Sequence, residues 1–243
     1  MQVELQYLHQ NALVFRGGSE VSSIEERLEA VLAAPVGSIV SLEHQVLPSA
    51  GTVDGWDLPR ADREALSQRG LPDDLLMMPN FQAASEPILA PNIASGVEGH
   101  LIAADQRLYQ LGRWGSSDRT PMMGAVAGDG RILGLRKAPL TVEDLHPGLR
   151  DHYAGYYAPS VIFINTSLSC LVELAWRWRA AVQLLRELHE QEPAGIRPIE
   201  EHEAHHERIR ACERTFTEAA ATVDPAINPN DPTGTWVELV NDL

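Results

Sequence analysis

The chain has 243 residues, 44 % of them hydrophobic, which is enough to bury a core as one large domain or two small ones. Its 34 acidic residues against 19 basic ones give a net charge of −15, a surface that repels phosphate backbones and attracts basic proteins, so direct nucleic-acid binding is not expected. Two cysteines, Cys170 and Cys212, stand far apart without partners at metal-ligand spacing, which argues against a disulfide framework or a zinc knuckle and fits a reducing compartment.

The opening residues MQVELQYLHQNALVF lack a basic start, a continuous apolar run and a small-residue cleavage site, so no signal peptide is read and a cytoplasmic location is expected. Their apolar spacing mixes strand and helix periods and does not resolve into one element. No uninterrupted run of about 18 apolar residues occurs, so no membrane association is expected. After Gly17 and Gly18, Ser22 or Ser23 can cap a helix over residues 23–34, with Ile24, Leu28, Val31 and Leu32 on one face and acids in the first turn. Pro35 and Gly37 end it, and GSIVSLEHQVL reads as one extended segment before the turn-rich PSAGTVDGWD. A short helix follows in DLPRADREALSQRGLPDDLL, with Asp57 as its cap, Pro59 in the first turn, and Gly70 and Pro72 as its stop.

From there to about Ser160, apolar residues come in short runs, as in HLIAADQRLYQLGRW, MMGAVAGDGRILGLR and PSVIFINT, which read as strands. Asp129 and Gly130 supply the positive φ angles of a tight hairpin between the second pair. A long helix begins near Asn165, Thr166 or Ser167, with Leu168, Leu171, Val172, Ala175, Val182, Leu185 and Leu188 recurring at helical spacing, so that its apolar face must pack on the sheet. EPAGIRP breaks it, and a second helix over residues 199–223 turns Ile209, Cys212, Phe216 and Ala220 inward. Helices at both ends of a run of sequential strands define an α+β protein.

One stretch invites an enzymatic reading. In EEHEAHHER, His202, Glu203 and His206 match the H-E-x-x-H spacing that lets two imidazoles share a metal on one helix face. A metalloprotease also needs a third ligand and an apolar face that buries the pair, whereas this segment is charged on nearly every side. His202, His205 and His206 are therefore expected to face solvent, with no metal and no cofactor. No nucleophile elbow, phosphate loop or dinucleotide fingerprint occurs elsewhere. Cys170 sits one turn into the long helix, where a thiol pKa could be lowered, but its apolar neighbours favour a buried structural role. Trp176 and Trp178 cannot share a helix face, so one is expected in the core and the other at its border or in a contact surface. Trp114, in the polar stretch LGRWGSSDRTPM, is open to two readings, a binding anchor or an aromatic folded back on the sheet.

Several segments, in order, resemble the SUKH superfamily, specifically its fourth, actinobacterial-type group of immunity proteins. REALSQRGLPDDLL looks like that group's helix and Gly-Leu-Pro element, and LYQLGRWGSSDRTPMMGAVAGDGRILGLR looks like its central strands. VIFINTSLSCLVELAW resembles its most diagnostic element, an apolar strand ending in Phe-x-Asn-(Ser/Thr)-Ser-Leu, and VDPAINPNDPTGTWVELVNDL is similar to its closing Asp-Pro-Ala, loop and Trp signature. The resemblance covers residues 60–243. The first 50 or so residues and the insert QEPAGIRPIEEHEAHHER depart from the pattern.

The resemblance implies one domain over residues 1–243, with residues 1–55 divergent, built on a central, largely antiparallel sheet flanked by helices. It implies a non-enzymatic immunity protein that binds a cognate polymorphic toxin, a nuclease or nucleic-acid deaminase, and occludes its active site. A scaffold or regulator of the same superfamily is the alternative, and a hydrolase built on EEHEAHHER a third. On the first reading, Trp114 is nominated as a contact anchor, with Asp118 and Asp129 as steering charges.

Overall fold

The computed structural model describes residues 22–74, 76–115, 117, 120–191 and 198–243, so the opening stretch and Asp118 lie outside the described residues. Helix α1 (Ile24–Ala33) forms as the sequence predicts, closed by a capping box in which the Ser23 hydroxyl accepts from the Glu26 N–H at 3.1 Å and the Glu26 carboxylate accepts from the Ser23 N–H at 3.0 Å. Ile24 and Leu28 are buried, while Val31 and Leu32 pack at the edge of the core.

The segment expected to be extended after α1 is not. Pro35 starts a fresh helical turn, α2 (Val36–Ile39), and accepts from both the N–H and the hydroxyl of Ser38, at 2.9 and 2.7 Å. Only β1 (Gln45–Val46) is strand. Asp57 does not cap the next helix, α3 (Arg60–Arg69), because Pro59 holds that position; the Asp57 N–H donates instead to the Tyr109 hydroxyl at 2.8 Å. Gly70, at φ 59°, ends α3, and β2 (Leu71–Pro72) pairs antiparallel with β1.

Then come β3 (Met77–Pro79), the short α4 (Gly96–Gly99), β4 (Leu108–Trp114), β5 (Met122–Val126) and β6 (Ile132–Leu135). A small ribbon of β7 (Leu140–Thr141) and β8 (Tyr157–Ala158) precedes β9 (Val161–Asn165). The central sheet has the order β3-β4-β5-β6-β9 and is antiparallel throughout. The turn between β5 and β6 is longer than an Asp-Gly pair: the Val126 N–H bonds Arg131 O at 2.8 Å, and the positive φ values fall on Gly128 and Gly130.

A bulge in β4 decides where its side chains point. The register passes from Gln110 opposite Gly124 to Gly112 opposite Met123, leaving Leu111 as an extra residue. One extra residue flips every later side chain to the other face. Tyr109, Leu111 and Trp114 therefore all meet the core.

Ser167 caps α5 (Leu168–Glu190), its hydroxyl accepting from the Cys170 N–H at 3.1 Å, two residues past Thr166 and directly after β9. α6 (Ile199–Val223) and α7 (Thr235–Asn241) complete the described chain. α5 packs on α1, α2, α3 and α6 as well as on β9. This explains a departure from expectation, since both Trp176 and Trp178 are core residues. Trp176 donates its indole N–H to Arg69 O at 3.2 Å on the α3 side, and Trp178 meets Phe216 edge-on at 5.1 Å on the α6 side. The sheet's second face carries a smaller core of Ile102, Leu108, Val126, Leu133, Leu135 and Val161, covered by Leu89, Ile93 and Leu101. The molecule is α+β, a five-stranded antiparallel sheet flanked by helices.

Candidate protein-interaction surface

Two of the segments that carry the family resemblance, around Asn165 and around Asp224, meet at the start of α5. Asp224, fully buried, accepts from Asn165 Nδ2 at 2.8 Å, the Thr166 N–H at 2.8 Å, the Thr166 hydroxyl at 2.9 Å and the Ala226 N–H at 3.2 Å. Asn165 Oδ1 in turn accepts from the Trp236 indole N–H at 3.2 Å. The Asn-Thr-Ser, Asp-Pro-Ala and Trp signatures thus tie β9, the end of α6 and α7 together. Asn165, Asp224 and Trp236 are buried and hold structure, while Thr166, Pro225 and Ala226 remain exposed.

A second carboxylate works similarly. Asp62, buried in the first turn of α3, accepts from the Ser169 N–H at 2.8 Å, placing a negative charge at the positive end of α5. Its other oxygen lies against Gly130, where a Cβ would collide with it.

Of the nominated contact residues, Trp114 ends β4 rather than lying in a loop, and is half-buried with its ring edge-on to Trp236 at 5.1 Å. Asp129 is exposed in the β5–β6 turn, where its carboxylate accepts from the Arg131 N–H at 2.9 Å and pairs with the Arg131 guanidinium at 2.7 Å. Arg113, next to Trp114, pairs with Met122, whereas Asp129 follows Val126, so Trp114 and Asp129 stand at opposite ends of β5.

The histidines do not all face solvent. His206 is exposed and His202 half-buried, but His205 is only 6 % exposed and its Nε2 has no hydrogen-bond partner. His205 falls four residues before Ile209 and seven before Cys212, on the same buried stripe. Among the described residues, no three His, Cys, Asp or Glu side chains come together as a metal site. Cys170 is half-buried beside a groove of about 650 Å³ also lined by Glu29, Arg69 and Arg177. Its thiol bonds the Val223 carbonyl, and burial pushes its pKa up, away from a reactive thiolate.

Among the described residues, exposed tyrosines cluster elsewhere, in residues 142–156 between β7 and β8 and at the first residue of β8. Leu149, Tyr153, Tyr156 and Tyr157 are 47, 52, 37 and 40 % exposed. The excursion is nevertheless tied down. Arg150 donates to Glu143 O at 2.8 Å and Leu145 O at 3.2 Å, and the Thr141 N–H donates to Asp144 at 2.8 Å. At its end the Tyr157 hydroxyl donates to Glu98 at 2.7 Å, and Glu98, fully buried in α4, also accepts from the Ser160 N–H and hydroxyl at 3.1 Å each and from Ser95. Loss of water alone would raise the Glu98 pKa, but the bonds from Ser95, Tyr157 and Ser160 outweigh it and hold the carboxyl at about 2. Nothing in the sequence singled out this excursion except three tyrosines within five residues.

Fold and surface together define an α+β domain in which Asn165, Asp224 and Trp236 serve the architecture and, among the described residues, exposed tyrosines cluster between β7 and β8 and at the start of β8. The SUKH-4 immunity protein family matches residues 46–242, and the chain belongs to that family. No curated protein and no solved structure matches it. Among the described residues, no helix is long and apolar enough to cross a membrane.

Proposed function

We propose that this chain is a non-enzymatic immunity protein that binds a cognate polymorphic toxin in the cytoplasm of the producing cell and occludes its active site. The observation that carries the reading is the family match over residues 46–242. The net charge of −15 adds the direction of the partner's chemistry. A nuclease or nucleic-acid deaminase holds its substrate in a basic groove, and an acidic protein of complementary shape competes for that groove. The structural roles of Asn165, Asp224 and Trp236 and the raised Cys170 pKa fit a protein that works by contact.

In this proposal residues 1–243 act as one domain with a divergent segment over residues 1–55. The placement of Ile24 and Leu28 in the same core as the sheet supports that reading. Asp118 and Asp129 contribute as steering charges through the chain's overall negative field, a role that does not require them to share a patch with Trp114, the proposed aromatic contact. The test is co-expression with the product of the adjacent reading frame. Growth of cells that otherwise die, with the two proteins co-purifying, supports the proposal; death despite normal levels of this chain overturns it. A stable complex with a non-toxic host protein would instead select a scaffold role.

A further inference from the structure

Three features recommend the excursion over residues 142–156 as more than a connection. From Glu143 to Tyr157 every residue except Leu145 is exposed, in a long connection whose regular structure is limited to two 3-10 turns, Val142–Asp144 and Pro147–Leu149. It holds Tyr153 and Tyr156 and is followed at once by Tyr157, the first residue of β8, so three of the chain's five tyrosines cluster here, the residue type that gives large contact area for few lost rotamers. Its backbone is already ordered by Arg150, Asp144 and the Tyr157–Glu98 bond, so little conformational entropy remains to be lost on docking.

We infer that the face formed by Leu149, Tyr153, Tyr156 and Tyr157 is the contact surface for the toxin, and that it seats on a basic protein surface. The inference rests on the immunity reading above and gives it a location. Charge selects the occupant. Between residues 142 and 157 the chain carries Glu143, Asp144 and Asp151 against Arg150 alone, whose guanidinium is turned onto its own backbone. Such a patch repels nucleic acid, anionic lipid and a second copy of itself, and attracts a cationic protein. Topology places it well. β6 ends at Leu135 opposite Met122, and β9 begins at Val161 opposite Leu135, so the excursion leaves the sheet at the same end as Trp114. The steering charge Asp129 lies at the other end.

The experiment measures binding kinetics between this chain and a catalytically inactivated toxin domain from the adjacent reading frame. The double variant Tyr153→Ser/Tyr156→Ser removes two exposed rings and keeps the thermal midpoint. It is expected to weaken binding at least about 100-fold, chiefly through faster dissociation. Tyr153→Phe/Tyr156→Phe keeps the rings and is expected to stay within about five-fold of the parent. Parent-like binding by the folded Ser variant would overturn the assignment of the surface while leaving the immunity reading intact. No binding by the parent chain would overturn the immunity reading, and this surface with it.

Discussion

Asp224 and Glu98 are both fully buried carboxylates, yet they answer different perturbations. Asp224 gathers donors from β9 and from the end of α6, and its removal leaves the buried Asn165 amide and the part-buried Thr166 donors without their partner. Asp224→Ala is expected to cost about 2–4 kcal/mol in chemical denaturation; a loss under about 1 kcal/mol would show that water replaces the carboxylate freely. Glu98 reports on pH. Its folded pKa of about 2 lies below its ordinary 4.5, so its contribution to stability is complete above 4.5 and declines as pH falls from there towards 2. Denaturation of the parent and of Glu98→Gln should therefore differ most near neutrality and converge in acid, and a constant difference across that window would contradict the hydrogen-bonded carboxylate. His205 gives a third contrast. With an unpartnered, buried Nε2, His205→Leu should be neutral or stabilising, His205→Ala should cost about 1–2 kcal/mol, and His206→Ala should stay within about 0.5 kcal/mol. The charge of EEHEAHHER hid this in the sequence, although the spacing of His205 to Ile209, Cys212 and Phe216 was the legible sign.

Among the elements, those with strong local codes were readable. The helix after Ser22 or Ser23, the apolar stripe of α5 and the switch from VIFI to a cap among Asn165, Thr166 and Ser167 were legible because capping residues and periodicity agree, the structure choosing Ser23 and Ser167. Ser167→Ala should accordingly cost about 1 kcal/mol as a lost cap. Most of the elements misread were decided by distant partners. The β4 bulge that sends Trp114 inward is set by pairing with β5 and announced only by Gly112, at φ 137° in mid-strand, while the short turn α2 after Pro35 is closed locally by Ser38 and was hidden by the β-branched residues around it. Trp176 and Trp178 are both buried because α5 is flanked by α3 and α6, which no single helix face can reveal. The candidate surface was less legible still. A contact face is defined by what stays uncovered after folding, and the exposure of Tyr153 and Tyr156 depends on the β7–β8 pairing that projects their segment outward.

For the whole molecule, the net charge of −15 is the property on which the proposed recognition of a cationic toxin turns. Electrostatic attraction acts mainly on encounter, so association with the toxin should slow steeply as salt rises while dissociation changes less. Reversal of Asp129 to Lys should lower the association rate with little effect on folding, because an exposed pair such as Asp129–Arg131 contributes at most about 1 kcal/mol. An association rate indifferent to salt and to that reversal would remove charge from the mechanism and leave shape alone. The most direct measurement is titration of the purified toxin domain's activity with this chain. Active-site occlusion predicts activity falling linearly to zero at one equivalent, with excess substrate competing for the same groove; full activity in a saturated complex would contradict it.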